Sequence, residues 1–138
     1  MASVARSPLL FCTLRNSVKK TVIIGATENP SRYAYLAAEM LQEYGEEFVP
    51  VSIKRGNVFG KEILDLRTQP VIEAVDTITL YINPRHQKEW YHYFYQLKPK
   101  RVIFNPGTEN PELEKSLEER GIHTIEACTL VMLRSGQY

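Results

Sequence analysis

The sequence predicts a doubly wound α/β domain, in which one parallel sheet carries helices on both faces. Short apolar runs rich in β-branched residues alternate with segments of helical periodicity from residue 19 to residue 126. The runs lack the polar alternation of half-exposed strands, which indicates that both of their faces are buried. Strands that follow one another at such short intervals are joined by right-handed crossovers in a parallel sheet. With 138 residues, the chain is long enough for one such domain and too short for two.

The N-terminal half begins with a strand, a helix and a second strand. The run KKTVIIG at Lys19–Gly25 is a strand, and the helix after it has an apolar face and ends at Gly45. That face consists of Tyr33, Leu36, Ala37, Met40, Leu41 and Tyr44. The second strand is predicted at Phe48–Ile53, where Pro50 indicates an edge or strand-end position.

The remaining elements are predicted from the same signals. Residues 54–70 are loop-like with room for a short strand, and residues 70–75 form one helical turn. Asn110 is an N-cap, with Pro111 at the first helical position. The other elements are a strand at 77–82, a helix at 85–97, a strand at 100–104, a helix from 111 to 121, a strand at 122–126 and a helical turn within 128–138.

Composition narrows the classes of function. The formal net charge is +1, which gives no electrostatic reason to expect nucleic acid or an anionic membrane as a partner. No apolar run reaches the roughly 20 residues that span a bilayer. The two cysteines, Cys12 and Cys128, are too few for a disulfide framework or a metal cluster, and they fit a reducing compartment. We therefore expect a cytoplasmic protein without a metal site.

Residues 1–18 differ from the rest of the chain. They contain Arg6, Arg15 and several small hydroxyl residues, and no acid precedes Glu28. This composition is typical either of a mitochondrial transit peptide or of a loosely packed N-terminal extension. We divide the chain into this extension and a domain at residues 19–138, with a mitochondrial location as the alternative to the cytoplasm.

Four polar loops follow the predicted strands and indicate a binding site at one edge of the sheet. In such sheets, ligands bind beyond the carboxyl ends of the strands, where the strand order reverses. The loops are GATENPSR, SIKRGN, INPRH and FNPGTEN. Proline and asparagine also punctuate ordinary turns. These loops share one edge, however, and their polar groups suit a phosphate-bearing ligand.

The loop GATENPSR precedes the first helix and could hold a pyrophosphate there. Unpaired N–H groups and the positive end of the helix dipole face whatever lies before a helix. Gly25 permits the sharp turn out of the strand. Side-chain donors and one charge follow, at Thr27, Asn29, Ser31 and Arg32. Ser31 is alternatively a plain N-cap, and the loop does not match G-x-G-x-x-G, so it does not single out a dinucleotide.

The end of the second strand favours a nucleotide that carries an extra phosphate. NAD sites usually place an acid there, which accepts hydrogen bonds from the adenosine ribose. This chain instead has two cations and no acid, in Ser52-Ile53-Lys54-Arg55. NADP and coenzyme A (CoA) carry a ribose phosphate that would pair with these cations. A solvated loop is the alternative interpretation of Lys54 and Arg55.

Several stretches also occur in the order and spacing of a known family. They are VIIGATENPSR before the first helix, VPVSIK with the following FGKEI, INPR after a central strand, and the late Cys128. In these features the chain, from about Lys19 onward, resembles the small single-domain CoA-binding proteins. These are relatives of the nucleotide-binding domain in the succinyl-CoA synthetase α-subunit. The resemblance implies a Rossmann-like, three-layer α/β/α fold that binds CoA through its ADP portion, often with no catalysis known.

The resemblance further implies which residues contact the ligand. The pyrophosphate would lie near Gly25, Thr27, Ser31 and Arg32, with Asn29 in the same loop. The adenosine and its phosphate would be flanked by Ser52 and Lys54. The rest of the cleft would be lined by Asn83, Pro84, Arg85, Asn105, Pro106 and Gly107. The chain departs from the family pattern at Ser52-Ile53, where relatives commonly have Asn-Pro, and at Asn83, where they have an aromatic residue.

The predicted function is non-catalytic binding of CoA or an acyl-CoA, with an NADP-dependent oxidoreductase or a ligand-free interaction module as alternatives. Nothing in the sequence pairs His86, His92 or His123 with a nucleophile, so catalysis is not predicted, although it is left open. His86 begins a helix at the ligand edge and is a candidate pocket contact. Cys128 is either a small buried apolar residue or a thiol that exchanges with the thiol of CoA.

The stretch WYHYFY, which begins at Trp90, is aromatic on nearly all sides of its helix. Trp90, Phe94 and Leu97 share a face that suits the core, whereas Tyr91 and Tyr95 share another. We interpret the second face as a homodimer contact. Base stacking on nucleic acid is not expected at a net charge of +1.

Overall fold

The computed structural model describes residues 18–138, which build a six-stranded sheet and five α-helices. The strands of the sheet are β1 (Lys20–Ile24), β2 (Glu47–Ser52), β5 (Leu64–Asp65), β6 (Thr77–Leu80), β7 (Arg101–Phe104) and β8 (His123–Glu126). A small antiparallel pair, β3 (Asn57–Val58) and β4 (Lys61–Glu62), lies between β2 and β5 in the chain. The predicted extension falls outside the described residues except for Val18, so the division into extension and domain stays a prediction.

The large sheet has the strand order β5-β2-β1-β6-β7-β8, and all of its pairings are parallel. The chain passes from β1 outward to β2 on one side, and then to β6 on the other side of β1. The strand order therefore reverses between β1 and β6, which is where ligands bind in doubly wound sheets.

The helices lie on both faces of the sheet. They are α1 (Tyr33–Glu43), α2 (Pro84–Gln87), α3 (Tyr91–Leu97), α4 (Pro111–Glu119) and α5 (Thr129–Ser135). On one face α1 and α5 contact each other and pack over Ile23, whereas α3 and α4 pack with Val22 and Ile24 on the other. All three of these β1 side chains are fully buried, as expected for a strand without polar alternation. The predicted doubly wound α/β class and its three layers are confirmed.

Two predicted helical segments differ from the observed ones. Residues 70–75 contain no helical turn, because Ala74 has a φ of 59° and the Pro70 carbonyl accepts the Tyr93 hydroxyl at 2.6 Å instead of an amide of a following turn. The predicted helix at 85–97 is divided into α2 and α3 by a 3₁₀ turn at Lys88–Trp90. None of the helices within residues 18–138 is long and apolar enough to cross a membrane.

The position of Pro50 was predicted correctly only in part. β2 lies inside the sheet, between β1 and β5, rather than at its edge. The β5 ladder, however, begins opposite Val51, one residue after Pro50. The proline therefore lies where no β5 residue needs its missing N–H group.

Candidate functional site

The loops after β1, β2, β6 and β7 surround a cleft at the point where the strand order reverses. Two hollows, of about 300 Å³ and about 270 Å³, open side by side there. The residues common to both linings are Gly25, Arg32, Lys54, Tyr81 and Asn83. The structure thus brings together four residues that the sequence predicted as ligand contacts, and adds Tyr81.

The two halves of the cleft differ in chemistry. The half on the β2 side, which we call the Trp90 hollow, has aliphatic and aromatic walls with a few polar groups. Its further lining residues are Ser52, Ile53, Leu66, Ile82, His86, Glu89 and Trp90. The half on the β7 side, which we call the Pro106 hollow, combines the first turn of α1 with the β7–α4 loop. Its further lining residues are Thr27, Tyr33, Ala34, Pro106, Gly107 and Thr108.

Gly25 brings the loop after β1 against the loop after β6. Its φ of +97° lies in the region that favours glycine. A Cβ atom here would lie 2.9 Å from Ile82 Cγ2 and 3.1 Å from the carbonyl carbon of Tyr81. The Gly25 N–H donates to the Val51 carbonyl at 2.9 Å. The glycine therefore lets the ends of three neighbouring strands meet at one point.

The rest of GATENPSR folds back on itself, and no side chain within residues 18–138 caps the start of α1. Thr27 Oγ1 accepts the Asn29 N–H at 3.1 Å. Asn29 Oδ1 accepts the Ser31 N–H at 3.0 Å and the Ser31 hydroxyl at 2.8 Å. Asn29 and Ser31 thus shape the loop and line neither hollow. Arg32, and not Ser31, is the N-cap residue, and its side chain makes no capping hydrogen bond.

This helix start gives the cleft a positive end. The first N–H groups of a helix have no intrahelical partner and carry its partial positive charge. The first two residues of α1, Tyr33 and Ala34, line the Pro106 hollow. The exposed Arg32 side chain, which lines both hollows, adds a full charge. An anionic group in the cleft would meet both.

Lys54 lies where the two hollows meet, and Ser52 fixes the backbone at this point. The Ser52 side chain is buried, and its Oγ accepts the Lys54 N–H at 3.1 Å. The Lys54 side chain is exposed and lines both hollows. An ammonium group in this place can pair with a phosphate in either half of the cleft.

Besides Asn29 and Ser31, three more of the predicted contacts lie away from both linings. Pro84 is the first residue of α2, and the Arg85 N–H donates to the N-cap Asn83 at 2.9 Å. The Asn105 side chain is buried, and its Nδ2 donates to a hydroxyl and a carbonyl group of β6 at 2.7 Å and 2.9 Å. Its Oδ1 accepts the first N–H of α5 at 2.9 Å. Asn105 therefore joins β6, β7 and α5 beneath the cleft.

Tyr81 is the cleft residue that the sequence analysis missed most plainly. It follows β6 directly, and its ring packs against the core on the α1 side of the sheet. Its hydroxyl is buried and has no hydrogen-bond partner among the described residues, although the hydroxyls of Thr129 and Thr79 lie nearby. Burial raises the pKa of Tyr81, so the phenol is neutral. The predicted strand at 77–82 encloses Tyr81, whereas β6 ends at Leu80, so the strand pattern did not indicate that Tyr81 lies at the cleft.

A buried glutamine holds the two halves of the cleft together. Gln87 Nε2 donates to the Ile82 carbonyl and to the Thr108 carbonyl, each at 2.9 Å. Its Oε1 accepts from Asn110 Nδ2 at 2.8 Å. Ile82 lines the Trp90 hollow and Thr108 lines the Pro106 hollow. One side chain thus sets the spacing of the loops after β6 and β7.

The aromatic residues after Trp90 are engaged within the chain. Tyr93 is buried in the core, the Tyr91 hydroxyl donates to a glutamate of α4 at 3.0 Å, and Arg120 lies 3.8 Å from the Tyr95 ring centroid. The feature that suggested a homodimer contact therefore has an intrachain explanation, and the homodimer stays a prediction. Trp90 itself is half-buried between the core and the hollow named after it.

Cys128 is separate from the cleft lining. It is half-buried, serves as the N-cap residue of α5 and lines neither hollow. Exchange of its thiol with that of CoA stays a prediction. His86, the other reactive side chain singled out in the sequence, does line the Trp90 hollow.

Comparison with known proteins assigns the family. A sequence model of the CoA binding domain matches residues 19–134, which is most of the chain. The chain belongs to the CoA-binding domain family. The family inferred from GATENPSR and the loops after β2 and β6 is therefore confirmed, as is the Rossmann-like fold. A search of curated proteins found no match.

Solved structures of several proteins have the same fold. A crystal structure of an uncharacterized protein is 58% identical, with a TM-score of 0.86, and the match covers 89% of this chain and 100% of that one. A Thermus thermophilus protein, cell-free ID.343, is 25% identical with a TM-score of 0.77 over 94% and 98% of the two chains. A dinucleotide forming acetyl-coenzyme A synthetase 1 of Ca. Korarchaeum cryptofilum, in complex with phosphate and ADP, has a TM-score of 0.64 at 16% identity. This last match covers 79% of the present chain and 25% of the synthetase, and it shows the fold alone.

Proposed function

We propose that the protein binds CoA or an acyl-CoA in this cleft, with the diphosphate at the start of α1. The observation that carries the proposal is the junction of the two hollows, where Arg32, Lys54 and the uncapped α1 face one space. Each of the two phosphates in the diphosphate of CoA carries a negative charge. Hydrogen bonds to them from the charged Arg32 and Lys54 side chains are stronger than hydrogen bonds between neutral groups, and a helix start favours anions.

The two hollows provide separate places for the two ends of the ligand. The Trp90 hollow, with Leu66, Ile82 and Trp90 in its walls, suits the flat apolar faces of an adenine ring. The Pro106 hollow leads from α1 to the β7–α4 loop and suits the amide-bearing pantetheine arm, because backbone groups there can pair with amides. Gly25, at the junction, allows the diphosphate to approach the backbone closely.

We propose a binding role rather than an enzymatic one. His86 and Glu89 are the titratable side chains in the Trp90 hollow apart from the cations and Tyr81. Neither makes a side-chain hydrogen bond with a nucleophile within residues 18–138, whereas general-base catalysis needs such a contact or one through water. A carrier or sensor of CoA needs only the cradle that these loops form.

Ligand-induced stabilisation tests the proposal. A ligand that binds only the folded protein stabilises it by about 2.7 kcal/mol at about 100 times its Kd. Thermal unfolding is measured with CoA, dephospho-CoA, NADP, NAD and ADP. We expect CoA to raise the Tm most and ADP to raise it less. A shift with NADP and none with CoA would favour the oxidoreductase alternative, and no shift with any of the five would favour the ligand-free interaction module.

A further inference from the structure

A third hollow adjoins the cleft on the outer side of β2. It has a volume of about 270 Å³ and shares Ile53 and Lys54 with the Trp90 hollow. We call it the Arg67 hollow. Its other lining residues are Arg55, Gly56, Glu62, Ile63, Leu64, Asp65 and Arg67. A nucleoside in the Trp90 hollow would therefore have a neighbouring space for a group on its ribose.

The Arg67 guanidinium is held in place by contacts on two sides. Its Nε donates to Asp65 Oδ1 at 3.0 Å, and the Arg67 backbone N–H donates to the same oxygen at 2.9 Å. Its Nη2 reaches the Ile53 carbonyl at 3.4 Å. These contacts span β5 and the loop after β2. A guanidinium has five N–H donors, so most of its donors stay available to a ligand.

The charges in this hollow leave an excess of positive charge for an anion. Three cations, Lys54, Arg55 and Arg67, face two acids. One of the acids, Asp65, is neutralised by its ion pair with Arg67. Hydrogen bonds from Arg67 hold the pKa of Asp65 below its usual range, so Asp65 is ionised at neutral pH and its charge balances that of Arg67. The other acid, Glu62, offsets only one of the two remaining cations, Lys54 and Arg55.

The sheet brings Asp65 next to the end of β2, although Asp65 does not follow β2 directly in the sequence. The sequence shows no acid at the end of β2, but Ser52 of β2 pairs with Asp65 of β5. An acid in that position usually accepts ribose hydroxyl groups and excludes a ribose phosphate. In this chain Asp65 Oδ1 already accepts two hydrogen bonds from Arg67, and the guanidinium places a positive charge beside the acid.

We propose that the Arg67 hollow is a subsite for a phosphate monoester on the ligand's ribose, and that Arg67, positioned by Asp65, selects phosphorylated over unphosphorylated ribose. This inference rests on the proposed function, because it needs a nucleotide in the adjoining Trp90 hollow. It adds two residues, Asp65 and Arg67, that neither the family resemblance nor the loop sequences indicated. Lys54, which is shared by all three hollows, completes the phosphate contacts.

Calorimetric titration with matched ligand pairs tests the inference. The probes are CoA against dephospho-CoA and NADP against NAD, since each pair differs by one ribose phosphate. We expect wild-type protein to prefer CoA over dephospho-CoA at least about tenfold, because hydrogen bonds between charged groups are stronger than those between neutral groups. The NADP pair reports whether the subsite also accepts a phosphate at the other ribose position. Arg67→Ala should reduce the CoA preference about tenfold or more, since it removes a contact and also uncovers the Asp65 charge.

Two further variants separate a selective role from a structural one. In Asp65→Ala/Arg67→Ala the uncovered acid is removed as well, so part of the lost preference should return, about threefold. Arg134→Ala removes an equal charge from the exposed surface of α5 and should leave the preference unchanged. Arg67 is largely exposed, and the Tm of each variant checks that it folds.

The outcomes distinguish this inference from the proposed function. If wild-type protein binds CoA and dephospho-CoA equally well, or if Arg67→Ala keeps the full preference, the subsite is refuted while CoA binding stands. If wild-type protein binds none of the four ligands, the proposed function fails and the subsite fails with it. Recovery in the double variant would support the subsite, whereas a further loss would show that Asp65 itself contacts the ligand and would overturn its assigned role.

Discussion

Replacement of Gly25 by alanine would test the geometry on which the cleft depends. The backbone φ of +97° is unfavourable for an L-residue, at about 1–2 kcal/mol. The added methyl group would lie 2.9 Å from Ile82 Cγ2 and 3.1 Å from the Tyr81 carbonyl carbon, which is closer than side chains normally pack. Overpacking of this kind costs about 1–3 kcal/mol. Together these effects predict a loss of about 2–5 kcal/mol in the free energy of unfolding.

The chain offers a matched control for this substitution. Gly107 has nearly the same φ, +94°, but a Cβ atom there would have no heavy atom within 4 Å from the other described residues apart from its chain neighbours. Gly107→Ala should therefore cost only the backbone part, about 1–2 kcal/mol. Urea denaturation followed by circular dichroism measures both variants, with unchanged m-values and lowered midpoints.

The difference between the two variants isolates the contact between the loops after β1 and β6. We expect Gly25→Ala to be less stable than Gly107→Ala by about 1–3 kcal/mol. Equal losses would show that a Cβ atom at residue 25 has room beside Ile82 and Tyr81, and the argument for a shared junction would fail. A larger loss should be accompanied by weaker CoA binding, because the displaced loops form the junction of the two hollows.

Three further predictions concern single side chains. Gln87→Leu removes the side-chain donor of two loop carbonyls and one of the two acceptors of the Asn110 amide, so the free energy of unfolding should fall by about 2–4 kcal/mol in urea denaturation, and CoA affinity should fall with it. Lys54→Ala should weaken CoA about three- to tenfold in calorimetry and dephospho-CoA by less, because dephospho-CoA keeps the diphosphate and lacks the ribose phosphate, whereas the exposed Lys115→Ala on α4 should change neither. Burial raises the pKa of Tyr93 to about 12 from about 10. The stabilising contribution of the buried, neutral phenol is therefore complete below about pH 10 and is lost as the pH rises towards about 12. Between these pH values the urea midpoint of wild-type protein should fall more steeply than that of Tyr93→Phe.

The central strands and their loops could be predicted because the signals are local. A run such as KKTVIIG has no polar alternation, and only burial on both faces accounts for it. Gly25 follows β1 directly and Lys54 comes shortly after β2, so the parallel topology brings them to one edge. Arg32 and Asn83 reach the same cleft for that reason.

The residues that depend on pairing between distant segments could not be predicted. Asp65 reaches the end of β2 through a two-residue strand, which is too short for any periodic pattern. The helical spacing of Trp90 predicts a core residue, and Trp90 does pack against the core, but it ends the 3₁₀ turn between α2 and α3 and also lines the cleft. The place of Asn105 after β7 predicts a ligand contact, whereas in the structure its amide donates to the buried hydroxyl of Thr79.

A crystal structure of the protein with CoA tests the central claim most directly. The account predicts that the diphosphate lies at the first turn of α1, between the Arg32 and Lys54 side chains, with the adenine in the Trp90 hollow. It would be contradicted by CoA bound on another face of the sheet, or by a cleft whose loops close over Gly25 and admit no diphosphate.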